Sequence, residues 1–209
     1  MRLSGKERLV LEYLTKGGDE VKVIPEDIRS KFTPEMLQFT LSELEAKGLV
    51  EYVGGAYTPT KKAEELFKKR KPIKEEIIAW GHPSITATND MMIKITKGDK
   101  PLDERDSIIA VKANKSCKDL DELFKDYLKF GKKIKITISV DGIQDTVKAF
   151  GSPALELTNK KNIVITKSDF IDGRTLAILA DKAVCNLKKE LTSKLKKSKT
   201  KIKIELEVK

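Results

Sequence analysis

The chain has 209 residues, 42 Lys and Arg against 32 Asp and Glu, and a formal net charge of +10 at neutral pH. Hydrophobic residues make up 39% and charged residues 35%. That composition excludes collagenous, disordered and disulfide-stapled classes and allows one large or two ordinary domains.

The N-terminal run MRLSGKERLVLEYL carries charges throughout, so neither a signal peptide nor a membrane span is expected, and no membrane partner. Ser4 and Glu7 form a capping pattern ahead of Leu9, Val10, Tyr13 and Leu14 at helical spacing, and Gly17-Gly18 ends that helix. Residues 21–24 (VKVI) read as extended. Pro25 opens a second helix, PEDIRSKF. Thr33-Pro34 opens a third, which runs to Gly48 with Leu37, Leu41 and Leu44 inward. Two short alternating strands then flank Gly54-Gly55, a hairpin signal, and Thr60 caps a last helix.

This order, and the run GLVEYVGGAYTPTKKAEEL (48–66) above all, resembles the winged helix-turn-helix regulators of archaea and bacteria. The resemblance implies a mostly helical winged-helix domain over 1–71 with the third helix as the DNA-reading helix. Gln38 and Lys47 would lie on that helix, and Arg29 and Lys31 on the second would touch phosphate. The outer face of the third helix nevertheless carries Glu35, Glu43 and Glu45 with Lys47 its one cation, a poor match to a face that needs donors for bases and cations for phosphates. A docking or dimerisation module is the alternative, with a homodimer as the partner.

Residues 72–209 read as one unit of about 70 residues written twice. GHPSITATNDMMIKITKGD from Gly81 and GSPALELTNKKNIVITKSD from Gly151 align without a gap and agree at nine of 19 positions. IKEEIIAWG matches IQDTVKAFG at the same offset, and KKIKITISV at 132–140 matches TKIKIELEV at 200–208. The expected fold is α+β, a mostly β sandwich-like or barrel-like domain of two pseudo-twofold repeats, 72–141 and 142–209. In each, strands are expected through EEIIAW or DTVKAF, SITAT or ALELT, MMIKIT or NIVIT, and SIIAVKA or TLAILA. A helix and a closing period-two strand complete the unit. The helix of the first copy carries Leu120, Leu123, Phe124, Tyr127 and Leu128; that of the second carries Val184, Leu187, Leu191 and Leu195.

GHPSITAT, RDSIIAVKA (105–113) and KSDFIDGRTLAILADKA (167–183) resemble an archaeal family known as a domain of unknown function. The resemblance implies a mostly β fold and archaeal origin, and no chemistry. Asn89 and the run Glu104-Arg105-Asp106-Ser107 depart from its pattern.

The repeat sorts the polar residues. Positions identical in both copies, such as Thr88/Thr158, Asn89/Asn159 and Lys115/Lys182, serve the common fold most simply. Positions that differ are the functional candidates. His82 faces Ser152 across the repeat and sits beside Trp80 in a Gly-x-Pro turn, suited to a general base, to an anion contact, or to stacking on Trp80. Arg174 and Asp181 belong to a charged cluster with Ser168, Asp169, Asp172 and Lys182 around LAILA, where an Arg clamps a phosphate or carboxylate or braces an ion-pair network.

Residues 142–209 carry 15 Lys and Arg against 8 Asp and Glu, so Lys188, Lys189, Lys194, Lys196 and Lys197 are the remaining nucleic-acid candidates, or else a solvated helix face. Cys117, Cys185 and His82 have no metal-ligand spacing, and no phosphate loop or hydrolase motif is present. No metal or cofactor is expected, and the free thiols suit a cytoplasmic protein. The expected function is a non-enzymatic archaeal DNA-associated regulator with a ligand- or partner-sensing β domain. The alternative is a small enzyme or RNA-binding module with a cleft between the repeats. DNA or RNA are the expected partners.

Overall fold

The computed structural model describes residues 3–16, 32–68, 72–101 and 106–208. The chain divides into two compact units, Met1–Lys71 and Pro72–Lys209.

In the first unit, α1 (Gly5–Lys16) begins at a capping pair, with Ser4 N–H donating to Glu7 Oε2 (2.8 Å) and Glu7 N–H to Ser4 Oγ (3.3 Å). Thr33 Oγ1 accepts from Met36 N–H at the start of α2 (Pro34–Ala46). Strands β1 (Val50–Val53) and β2 (Ala56–Pro59) pair antiparallel around Gly54 and Gly55, whose φ of 60° and 90° are those of a two-residue hairpin turn. Helix α3 (Lys61–Lys68) follows. Leu9, Leu11, Leu14, Leu44 and Leu49 are buried.

The expectation of a mostly helical winged-helix domain is corrected. The described residues are 28% helix and 32% strand, spread over several sheets, and the N-terminal part is not a helical winged-helix domain. Pro-opened helices and a Gly-Gly hairpin specify local elements, and local elements do not fix the assembly they enter. The expected VKVI strand and nearly all of the helix over PEDIRSKF lie outside the described residues. The supposed reading helix also lacks its cation, because the Lys47 ammonium is paired with the buried Glu7 carboxylate and lies 3.9 Å from Glu43.

The second unit contains β3 (Ile73–Trp80), β4 (Met92–Thr96), β5 (Ile108–Ala110), α4 (Glu122–Lys129), β6 (Lys133–Val140), β7 (Ile143–Phe150), β8 (Asn162–Thr166), β9 (Thr175–Ala177), α5 (Lys189–Leu195) and β10 (Lys201–Val208). One sheet has the order β3-β10-β6-β7 and is antiparallel throughout. The other has the order β5-β4-β8-β9, with β4 and β8 antiparallel at its centre. Single bridging pairs, Trp80 with Val111 and Phe150 with Ile178, join the two sheets at both edges.

Period-two alternation puts Ile77, Ile136, Ile138, Ile204 and Leu206 of the first sheet into one core with Ile93, Ile95, Ile163 and Ile165 of the second. Leu128 of α4 and Leu191 and Leu195 of α5 close that core.

The two copies occupy equivalent places. Gly81 N–H donates to Thr200 O and Gly151 N–H to Lys132 O. Ile78 N–H donates to Asn114 Oδ1 and Lys148 N–H to Asp181 Oδ1. The copies also interlock. A Cβ on Gly151 would lie 1.9 Å from Leu128 O of α4, and one on Gly81 would lie 2.6 Å from Leu195 O of α5. Each helix therefore ends against the glycine turn of the other copy, which is why those turns need glycine.

Two expected strands are absent. Residues 84–88 and 154–158 pair with no ladder, because Ala87 (φ 58°) and Leu157 (φ 56°) enter the left-handed region and break the extended run.

Candidate functional site

The four-stranded sheet β3-β10-β6-β7 has one face in the core and one open. Strand register sets the open face in rows. Lys74, Glu207, Lys135 and Lys148 form one row, then Glu76, Glu205, Thr137 and Thr146, then Ile78, Lys203, Ser139 and Gln144. Trp80 beside Lys201 closes one end, and Phe150 beside Lys133 closes the other. The two rings sit at diagonally opposite corners, about 30 Å apart by strand rise and strand spacing.

Each ring is partly open, Trp80 at 36% and Phe150 at 38% exposure, so neither is a core residue. Lys74 pairs with Glu207 (3.3 Å), and Lys203 with Glu76 (2.9 Å) and Glu205 (3.4 Å). Among the described residues Lys133, Lys135, Lys148 and Lys201 form no ion pair and stand exposed. The Lys133 ammonium lies 5.7 Å from the centroid of the Phe150 ring.

A cleft opens at each corner. The one at Phe150, about 680 Å³, has an apolar floor of Ala149, Phe150 and Leu179 and a rim of Lys133, Lys135, Lys148 and Asp181. The one at Trp80, about 570 Å³, is lined by His82, Asp99, Lys100, Lys112 and Lys199.

The sequence candidates fall in separate places. His82 lies in the Trp80 cleft, and its Nδ1 accepts from Ser84 N–H (3.1 Å), as Ser152 Oγ accepts from Ala154 N–H (3.3 Å) in the other copy. Asp181 lies in the Phe150 cleft, where one carboxylate oxygen holds the Lys148 N–H. Arg174 is on neither. It precedes β9 and chelates Asp172 through Nε (3.0 Å) and Nη2 (2.7 Å), and that contact first of all holds the Asp172 carboxyl below its ordinary pKa. His82, Arg174 and Asp181 thus form no common acid–base constellation.

Lys188 and Lys189 stand at the start of α5, and Lys194, Lys196 and Lys197 at its end. Lys194 is 3.4 Å from Asp141. Gln38 is exposed on α2, whereas Arg29 and Lys31 lie outside the described residues.

The residues missed from sequence are Phe150 and the lysines at positions 100, 112, 133, 135, 148, 199 and 201. Strand parity is the signal for most of them. In KIKITISV and IQDTVKAF the isoleucine, valine and alanine face in, so Lys133, Lys135, Lys148 and Phe150 must face out.

Other buried polar groups are structural. In the first copy Glu75 accepts from Lys115 Nζ (2.5 Å) and Asp121 N–H (2.7 Å). In the second, Asp145 accepts from Lys182 Nζ (2.5 Å) and Lys188 N–H (2.8 Å). Lys94 is 4% exposed at the centre of the β4–β8 pair. Burial, then the nearby Arg174 charge, lowers its ammonium pKa, with Asp172 opposing. Cys117 donates to Arg174 O (3.1 Å), and burial pushes its thiol up to about 12. Among the described residues no group of three or more His, Cys, Asp or Glu is placed to hold a metal ion, and no helix is long and apolar enough to cross a membrane.

Residues 77–209 match the family model described as a domain of unknown function, DUF371. An uncharacterised protein of Methanocaldococcus jannaschii is 39% identical over 123 residues, which is 59% of this chain and 91% of that protein. Neither comparison carries DNA binding or regulation, so the regulator expectation has no support from them.

Proposed function

The chain belongs to the DUF371 family, and we propose that it is a single-stranded nucleic-acid-binding module that works through the open face of the β3-β10-β6-β7 sheet. The observation that carries this reading is the pair of exposed rings, Trp80 and Phe150, set at opposite corners of one sheet face with Lys133, Lys135, Lys148 and Lys201, which form no ion pair among the described residues.

An aromatic ring on an open sheet stacks on an unpaired base, and each such contact is worth about 1–3 kcal/mol without regard to base identity. Lysines interleaved with the rings suit the phosphates between them. A duplex offers no free base face to either ring, and the sheet presents no element that would enter a groove. The basic excess of residues 188–203 adds a long-range pull on any polyanion and supplies no base selectivity.

The test is the salt dependence of binding to a single-stranded oligonucleotide. Four unpaired lysines at about 0.7 per phosphate contact give a slope of log affinity against log salt near −3. Replacing Lys133, Lys135 and Lys148 together by Gln should flatten that slope by about 2. A slope that does not change in the triple variant would place binding elsewhere and overturn the reading.

A further inference from the structure

The two corner clefts are related by the repeat and differ at several positions, three of which line both clefts, while His82 lines the Trp80 cleft and its counterpart Ser152 does not line the other. Trp80 answers to Phe150, His82 to Ser152, Lys112 to Leu179, and Lys199 to Gly131. The left-handed conformation is common to both positive-φ pairs, although the turn after α5 is one residue longer than the turn after α4. Lys112 and Leu179 have φ of 52° and 50°, and Lys199 and Gly131 have φ of 66° and 70°.

That last pair is informative. The left-handed region costs glycine nothing and strains any residue with a Cβ. The first copy shows that glycine suffices at this left-handed position, yet the second copy carries a lysine there. Strain held at a site where an easier residue is available points to the side chain as the reason. His82 follows the same logic. Ser152 shows that the turn needs only an acceptor, and the imidazole meets that need through Nδ1, so the proton of the neutral ring sits on Nε2, leaving an N–H donor.

We infer that the Trp80 cleft is a phosphomonoester site that takes the terminal phosphate of a bound strand. This rests on the single-strand reading above for the source of the phosphate, though not for the site. Lys100, Lys112 and Lys199 put three ammonium charges around one cleft with the His82 N–H. Asp99 opposes them weakly, being 82% exposed and 3.9 Å from Lys112. Point charges without a guanidinium fork suit a phosphate better than a planar carboxylate. A terminal phosphate, near −2 at neutral pH, draws more from such a cluster than an internal diester. The Phe150 cleft, with Leu179 and glycine in place of the two lysines, keeps the stacking ring and an apolar wall for a base.

The experiment compares one single-stranded oligonucleotide with a 5′-phosphate, a 3′-phosphate, or hydroxyls at both ends. One phosphorylated form should bind about tenfold tighter than the hydroxyl form, as a charge-assisted contact allows. Lys199→Gly and His82→Ser each restore the residue of the other copy, so both variants should fold, and each should collapse that ratio toward one. Equal binding of all three oligonucleotides, with no effect of either variant, overturns the phosphate site and leaves the single-strand reading intact. If no oligonucleotide binds, a nucleoside monophosphate that changes Trp80 fluorescence in the parent and not in Lys199→Gly supports the site and removes the strand. A silent titration there overturns both.

Discussion

Replacing Asp145 by Asn tests the buried pair that anchors the second copy. The Asp145 side chain is 3% exposed and accepts from Lys182 Nζ (2.5 Å), Lys188 N–H (2.8 Å) and Thr146 N–H (2.7 Å). An amide keeps one acceptor oxygen and turns a donor toward donors, so at least one buried N–H loses its partner. A stranded buried donor costs about 1–3 kcal/mol, and breaking a buried ion pair costs about 3–5 kcal/mol. Lys182 is 31% exposed and turns part of its charge to water, which places the expected loss near the lower end, about 3 kcal/mol. For a unit of this size that is a fall in Tm of about 10 °C by calorimetry.

The pH dependence has a definite sign. Burial alone raises the Asp145 pKa, but the bonds from Lys182, Lys188 and Thr146 outweigh it and hold the carboxyl below its ordinary value of 3.8. A depressed folded-state pKa stabilises above the unfolded pKa, and that stability is lost as pH falls through the folded value. The gap between parent and Asp145→Asn should be full at neutral pH and narrow below about pH 4. Equal melting at pH 7, or a gap that persists undiminished at pH 3, would refute the assignment.

Gly151→Ala should destabilise by about 3 kcal/mol or more, because the new Cβ meets the Leu128 carbonyl. Gly142→Ala at φ 79° meets nothing within 4 Å and should lose only the left-handed penalty of about 1–2 kcal/mol, so equal denaturation midpoints would contradict the interlocked packing. A thiol reagent at pH 8 should label Cys185, which is exposed, and spare Cys117, which is fully buried. Both should react in denaturant, and two equivalents taken up by the native protein would show that Cys117 is not sealed.

The second unit was legible in sequence to the extent that the 70-residue offset and strict alternation made it so. The match of Gly81 with Gly151 located equivalent turns, and KIKITISV and KIKIELEV gave β6 and β10 with the correct inward faces. The non-ladder segments at 84–88 and 154–158 were not legible, because Ala87 and Leu157 adopt positive φ without being glycine. The interlock of α4 with Gly151 and of α5 with Gly81 is tertiary, and no local pattern encodes it.

The N-terminal unit was over-read. Good caps and a Gly-Gly hairpin match many assemblies, and the acidic face of α2 was the contrary signal. At the candidate site, charge density drew notice to residues 188–197. The register of β6 and β7, which brings Lys133, Lys135 and Lys148 beside Phe150, appears only once the sheet order is known.

Trp80 is the single tryptophan of the chain and sits at 36% exposure at one corner of the open sheet face. Its fluorescence therefore reports directly on the surface that carries the proposal. Titration with a single-stranded oligonucleotide long enough to span both corners should quench Trp80 saturably, and the duplex of the same sequence should not at equal salt. Phe150→Ala, remote from the reporter, should weaken the single-strand titration by the value of one stacked base, about 1–3 kcal/mol. Unchanged Trp80 emission at saturating single strand, or equal quenching by the duplex, would contradict the account.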